Sequence, residues 1–287
     1  MLILLPCLDS EKMSSDRKRE LDISRDAASR LGKTALEVTL QGYYYLGEGI
    51  KVDIGPYVEA ARRAKVSIPP NASLPKGNGT PFPETRVQVT NETTLGAARR
   101  LIDQGLRVLA LNFANGIHPG GGFLNGARAQ EETLCRSSAL YVTLVGDPMY
   151  EAHRKREEPD STDWAILSPD VPVFRTDDGT PLEQPWLLSF LTCAAPVATK
   201  IGQPRSGDLL RRRIRRVLEI AHAYGYPALV LGAWGCGAFG NDPKRTAVDF
   251  RHALETEFDG AFSHVVFAIT DWSPDRRTLG PFRDVFA

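Results

Sequence analysis

Arg107-Val-Leu-Ala-Leu-Asn-Phe-Ala-Asn115 passes through Gly116-Ile-His118 into Pro119-Gly-Gly-Gly-Phe-Leu-Asn-Gly-Ala-Arg-Ala-Gln-Glu-Glu132, and the reading of this stretch decides the fold. Residues 107–113 are almost wholly apolar, the pattern of a strand buried on both faces in a parallel sheet. Gly120, Gly121 and Gly122 follow just past its carboxyl end, which is where open α/β sheets bind ligands. Successive glycines let the backbone turn freely and bring bare N–H groups close to an anion, so the loop reads as a phosphate nest or as a mere tight turn. Gln130, Glu131 and Glu132 then open an apolar-periodic helix that includes Leu134, Leu140 and Tyr141. Carboxylates in a first helical turn are stabilised by the backbone dipole, and adjacent glutamates usually face solvent. So close to an anion nest the pair has a second reading, because neighbouring like charge raises a carboxyl pKa and leaves a proton to donate.

Working outward, the segment Ala228-Leu-Val-Leu-Gly-Ala-Trp-Gly-Cys-Gly-Ala-Phe-Gly240 repeats the arrangement. A hydrophobic strand enters Gly232, Gly235, Gly237 and Gly240 before a helix opened by Asp242 and Pro243. Two such loops on one sheet edge suggest a diphosphate gripped from both sides. Phe239, inside the second loop, either packs on a sugar or base or plugs the core beneath. Strands are expected near 86–90, 164–168, 171–174, 187–193 and 265–270, with helices near 93–104, 130–144, 208–224 and 243–258. This alternation implies an α/β layered core.

Residues 14–66 read as mostly helical, with Leu21, Ala28 and Leu31 on one side of a charged segment. Pro69, Pro70, Pro75, Pro81 and Pro83 with Gly77 and Gly79 then mark a linker or long surface loop. The division expected is 1–82, a helical extension with its linker, and 83–287, the core. At 287 residues a substantial core needs no disulfides. Hydrophobic residues are 42% and charged ones 24%, the composition of an ordinary globular chain. Lys+Arg 35 against Asp+Glu 35 gives no net field to draw the chain to DNA, RNA or an anionic membrane. Uncharged stretches such as 184–199 fall short of the ~20 apolar residues of a spanning helix. The opening MLILLPCLDSEK lacks the basic leading region and small-residue cleavage site of a signal peptide. Cys7, Cys135, Cys193 and Cys236 are far apart, without zinc spacing, and fit a reduced, cytoplasmic setting. His153, His222, His252 and His264 show no ligand spacing either.

The combination of GGG, seven residues and QEE, preceded by a strand ending NFAN and followed by GAWGCGAFG, resembles the bacterial-type poly(ADP-ribose) glycohydrolases. The likeness covers about 86–287, and the N-terminal helices resemble that group's extension. It implies a macrodomain-like core, a three-layer α/β/α mixed sheet with an N-terminal helical extension. It also implies hydrolysis of the ribose–ribose O-glycosidic bonds of poly(ADP-ribose), with no metal and no cofactor. Glu132 would be general acid and then base, and Glu131 would hold hydroxyls of the leaving ribose. Asn115 would contact the distal ribose, Phe239 would orient it and Gln130 would support the loop. Gly120, Gly121 and Gly122 on one side and Gly235, Cys236, Gly237, Ala238, Phe239 and Gly240 on the other would clamp the ADP-ribose unit. His118, where the family often has another polar residue, reads as a turn residue. The implied partners are poly(ADP-ribose), ADP-ribose and ADP-ribosylated proteins, met by a monomer.

Three other readings compete. Gly235, Gly237 and Gly240 satisfy GxGxxG, the mark of a dinucleotide-dependent oxidoreductase, although too little chain follows for the rest of that domain. A non-catalytic ADP-ribose reader has no use for a QEE acid. A thiol hydrolase on Cys236 has no base that can be assigned. Arg211, Arg212, Arg213, Arg215 and Arg216 read as a solvated helix surface. For the adenine, Asp271 and Trp272 after the last strand are candidates, as is the Tyr43–Tyr45 run, which otherwise packs the N-terminal layer on the core.

Overall fold

The computed structural model describes residues 1–77 and 81–287, so Gly79 of the expected linker lies outside the described residues. The strands are β1 (Leu2–Leu4), β2 (Tyr43–Tyr45), β3 (Lys51–Asp53), β4 (Val66–Ile68), β5 (Thr85–Thr90), β6 (Val108–Phe113), β7 (Ala165–Arg175), β8 (Pro181–Cys193), β9 (Ala228–Leu231) and β10 (His264–Ala268). The helices are α1 (Glu11–Leu21), α2 (Arg25–Gln41), α3 (Gly55–Ala64), α4 (Thr94–Asp103), α5 (Gln130–Ser137), α6 (Leu140–Leu144), α7 (Pro148–Arg154), α8 (Ala198–Ile201), α9 (Arg205–Ala223), α10 (Pro243–Glu255) and α11 (Leu279–Val285). Among the described residues, eight strands form one sheet in the order β1-β5-β10-β9-β6-β8-β7-β4. The run from β1 to β8 is parallel, and β7 and β4 are antiparallel to their neighbours.

Each face of this mixed sheet carries its own apolar core, giving the three layers. On one side Val89, Leu111, Leu231 and Phe267 pack against α9, α10 and α11 through Ile214, Phe250 and Phe282. On the other, Val108, Ala110, Val230 and Val266 meet α2–α6 through Ala35, Val58, Leu101, Leu134 and Leu140. The central strand β6 is apolar along nearly its whole length because both its faces are covered. Neighbouring parallel strands β6 and β9 end side by side, so both glycine loops rise from one edge of the sheet.

Several elements differ from the sequence reading. Leu2–Leu4 and Val66–Ile68 are edge strands of the main sheet, so the first 82 residues contribute to the core as well as extending it. The tyrosine run is not helical. It forms a hairpin with Lys51–Asp53, and the Tyr44 hydroxyl donates to the Leu182 carbonyl. The single helix expected over 130–144 is broken because Ser138 is extended, bridges Val173 and donates its hydroxyl to the Leu134 carbonyl 2.7 Å away. Two expected strands, 164–168 and 171–174, are one strand with a bulge after Ser168. Arg213 is not on a solvated surface. It is 1% exposed and donates to the Ala194 and Asp160 carbonyls, pinning α9 to the end of β8.

Helix α2 starts where Ser24 caps the Ala27 amide and ends at the left-handed Gly42. It lies across the 3-10 turn Phe123–Asn125 that follows the first glycine loop, and Ser29 donates to the Leu124 carbonyl at 2.7 Å. Gly32 permits this approach, since a Cβ there would stand 2.4 Å from the Phe123 carbonyl oxygen. Gly32→Ala gains ~1 kcal/mol of helix propensity but forces two backbones apart, an overpacking cost of ~1–3 kcal/mol. A net loss of stability is expected in urea unfolding, and a raised midpoint would show that the helix does not bear on the turn.

Candidate active site

Gln130 fixes the start of α5 to the end of β6. Its Oε1 accepts the Phe113 amide at 2.9 Å, and its Nε2 donates to the Leu111 carbonyl at 2.8 Å and the Thr94 hydroxyl at 3.0 Å. The next two residues are thereby turned inward, leaving Glu131 2% and Glu132 8% exposed. Glu131 Oε2 accepts the Asn115 amide at 2.7 Å, and Oε1 accepts from Asn112 Nδ2 at 3.2 Å. Glu132 Oε1 accepts the Gly122 amide at 2.9 Å, and no other hydrogen bond to its carboxylate occurs among the described residues. The Gly121 amide is taken by the His118 carbonyl at 3.0 Å, and the Gly120 amide faces Glu131. The nest expected for phosphate at Gly120–Gly122 is therefore occupied by the protein's own carboxylates, the anions nearest to it.

Burial pushes the Glu131 carboxyl up to about 8; the Asn115 amide and Asn112 side chain oppose this and Glu132 adds to it. Desolvation, rather than the neighbouring charge stressed in the sequence reading, is the larger cause. The folded value lies above the ordinary 4.5, so the stability Glu131 lends is complete below about pH 4.5 and is lost as pH rises through about 8. Glu131→Gln removes that titration. The difference in Tm between variant and wild type is expected to move in the variant's favour, by several °C, between about pH 5 and about pH 9. A constant difference would remove Glu131 as a buried proton holder.

The second loop has the opposite character. Its Trp234, Cys236, Gly240 and Asn241 amides are satisfied within the loop. Those of Gly235, Gly237, Ala238 and Phe239 find no acceptor among the described residues. Cys236 and Gly240, expected among the contacts, thus have no amide to offer. The Cys236 thiol points to Thr246 Oγ1 at 3.5 Å, and burial pushes it up to about 12, which leaves a thiol hydrolase without a nucleophile. The four free amides edge a cavity of about 300 Å³, also lined by Phe113, Ala114, Gln130, Thr133 and Trp272, a size that suits a small-molecule ligand. Asn115, Gly120–Gly122, Glu131 and Glu132 do not line it; they form a second cluster reached along Phe113–Asn115. Phe239 packs on the core below, as its plug reading expects, and also lines the cavity.

This arrangement has solved counterparts. The chain matches the X-ray structure of poly(ADP-ribose) glycohydrolase from Thermomonospora curvata at TM-score 0.83 and 41% identity, covering 91% of this chain and 99% of that one. The same enzyme bound to the inhibitor ADP-HPD matches at 0.83 and 40%, covering 90% and 99%. The Deinococcus radiodurans glycohydrolase in complex with ADP-ribose matches at 0.73 and 41%, covering 82% and 98%. The family model of the microbial-type PARG catalytic domain matches residues 32–176, which contain the first glycine loop and the acidic pair. This chain belongs to the microbial-type poly(ADP-ribose) glycohydrolases. No curated protein matches it significantly.

Around the site of this microbial-type poly(ADP-ribose) glycohydrolase the fold also places residues that sequence reasoning missed. Asn112 is buried in the middle of an apolar strand, and a lone amide in such a run was the available sign. Asp177, in the β7–β8 turn, reaches the cavity from far along the chain, with burial raising its carboxyl to about 6 and the Thr93 hydroxyl donating at 2.6 Å. Arg136, in the last turn of the acidic helix α5 itself, donates back to the Ala127 carbonyl at 2.9 Å. Of the adenine candidates, Trp272 lines the cavity. Asp271 instead accepts the Ser273, Thr278 and Leu279 amides, and the tyrosines line no part of the cavity. His118 is a turn residue, its amide donating to Asn115 Oδ1 at 3.0 Å. No helix of the described residues is long and apolar enough to cross a membrane.

Proposed function

We propose that the chain hydrolyses the ribose–ribose O-glycosidic bonds of poly(ADP-ribose) and releases ADP-ribose, with Glu132 as the group that moves the proton. The observation that carries this assignment is the contrast within the acidic pair. Both Glu131 oxygens already accept N–H bonds from the protein, whereas Glu132 Oε2 is free to meet a substrate. Protonated Glu132 gives its proton to the 2′-oxygen of the leaving unit as the C–O bond breaks and the electron pair departs with that oxygen. The ribose left behind is a cationic oxocarbenium, which a nearby diphosphate stabilises electrostatically. Water then adds to the anomeric carbon and returns a proton to the Glu132 carboxylate. One carboxyl thus serves twice, where ordinary glycosidases divide the work between two.

The free amides of Gly235, Gly237, Ala238 and Phe239 suit the diphosphate, since unpaired backbone donors are the general means of holding phosphate oxygens. Phe239 then stands beside the distal ribose, with Trp272 toward the base. Asn115 offers its Nδ2 to a ribose hydroxyl, its Oδ1 being taken by the Ile117 and His118 amides. Glu131 holds the ribose on the leaving side. ADP-ribosylated proteins are the setting in which such a polymer is met, by a monomer in the cytoplasm. Incubation with poly(ADP-ribose) and chromatography of the products tests the reading: released ADP-ribose supports it. Binding without release would make the chain a reader, and a requirement for a nicotinamide dinucleotide would make it an oxidoreductase.

A further inference from the structure

Helix α7 ends in His153 and Arg154, and both side chains reach the segment between β6 and the first glycine loop. His153 Nδ1 lies 3.0 Å from the Gly116 carbonyl oxygen, and a carbonyl only accepts, so Nδ1 carries the proton. Its Nε2 lies 3.1 Å from the Thr162 amide, and an amide only donates, so Nε2 is bare. The Thr162 hydroxyl, 2.7 Å away, adds a second bond at the same nitrogen. The ring, 3% exposed, is therefore neutral, since an imidazolium would set Nε2–H against the Thr162 N–H. Burial foremost, and then the Arg213 and Arg156 guanidiniums, hold its basicity below the ordinary histidine value, while the Gly116 carbonyl and Asp160 oppose them. Arg154 secures the next carbonyl, that of Ile117, at 2.8 Å.

The turn held in this way carries the contacts of the acidic pair. Asn115, one residue before Gly116, gives its amide to Glu131 at 2.7 Å. His118, two residues after, accepts the Gly121 amide at 3.0 Å, and Gly121 lies against Glu132. We propose that His153 is a positioning residue for the glycohydrolase reaction, holding the Gly116 carbonyl so that the Asn115 amide stays on Glu131 and Gly121 stays against Glu132. The inference rests on the function proposed above. It assigns His153 no contact with substrate.

Two substitutions and one spectrum test it. His153→Leu fills a similar space without either hydrogen bond, while His153→Asn places an amide N–H near the position of Nδ1. The leucine variant is expected to lose ~10- to 100-fold in kcat on poly(ADP-ribose), the scale of small misplacements at a reacting centre. Its ADP-ribose Kd by calorimetry should stay within about twofold of wild type, because the second loop is untouched, and His153→Asn should recover most of the rate. Nitrogen-15 NMR of the wild type should show the Nδ1–H tautomer at neutral pH. Wild-type kcat in the leucine variant, equal loss of kcat and affinity without recovery by asparagine, or an Nε2–H ring would each overturn the inference. A wild-type chain inactive on poly(ADP-ribose) would instead overturn the proposed function, and the tautomer would still report on the hydrogen bond.

Discussion

Glu132→Gln is expected to bind ADP-ribose as the wild type does while releasing it from poly(ADP-ribose) at least ~10²-fold more slowly, the usual contribution of a general acid. Glutamine keeps the size of the side chain and an oxygen to accept the Gly122 amide, so the first glycine loop retains its anchor. What is lost is the proton at Oε2. Calorimetry with ADP-ribose and initial rates on polymer separate the two properties, and near-normal turnover would remove Glu132 from the mechanism. The raised carboxyl of Glu131 gives a second assignment of the acid a specific footing. The two assignments differ in what each glutamine variant does. If Glu131 only holds the ribose, Glu131→Gln should impair both rate and the apparent affinity for polymer. A pure loss of kcat in that variant, with Glu132→Gln active, would exchange the roles.

Gly121→Ala is expected to be nearly as damaging, for a different reason. Gly121 has φ +59°, and a Cβ there would stand 2.2 Å from Glu132 Oε1 and 3.2 Å from Glu131 Oε2. The left-handed backbone costs an alanine ~1–2 kcal/mol, which a domain of this size survives. The carboxyl tip is what must yield, and a displacement of about an ångström at the reacting group costs up to ~10²-fold in rate. The variant should therefore remain folded at 25 °C, with a Tm lower by a few degrees and turnover reduced about as far as in Glu132→Gln. Normal turnover would mean that neither carboxylate works from the place where it rests here.

Much of the candidate site's placement in the fold was legible because its signals are local. An apolar run as long as β6 has little choice but to be central, and a glycine loop after it lies at the ligand edge of the sheet wherever the rest of the chain goes. The reversal in the first loop was not legible, because the direction of an amide depends on a φ angle and on which anion reaches it first. Gly120–Gly122 and Gly235–Gly240 look alike as text, yet one holds the enzyme's own acids and the other has amides to spare. The role of α7 was hidden for a related reason: His153 acts through Gly116, 37 residues earlier. Arg213 was misread because a run of five arginines looks solvated, whereas one of them meets two buried carbonyls, those of Ala194 just past β8 and of Asp160. The edge strands β1 and β4 are three residues each, too short for alternation to show.

The seating of α2 on Phe123–Asn125 ties this helix to the chain leading to the acids, so the two are expected to open and close as a single cooperative unit. Amide hydrogen exchange over 123–129 should then slow in step with that of α2 when ligand fills the site. A fragment shortened from its amino end past this helix would lose the catalyst along with the appendage.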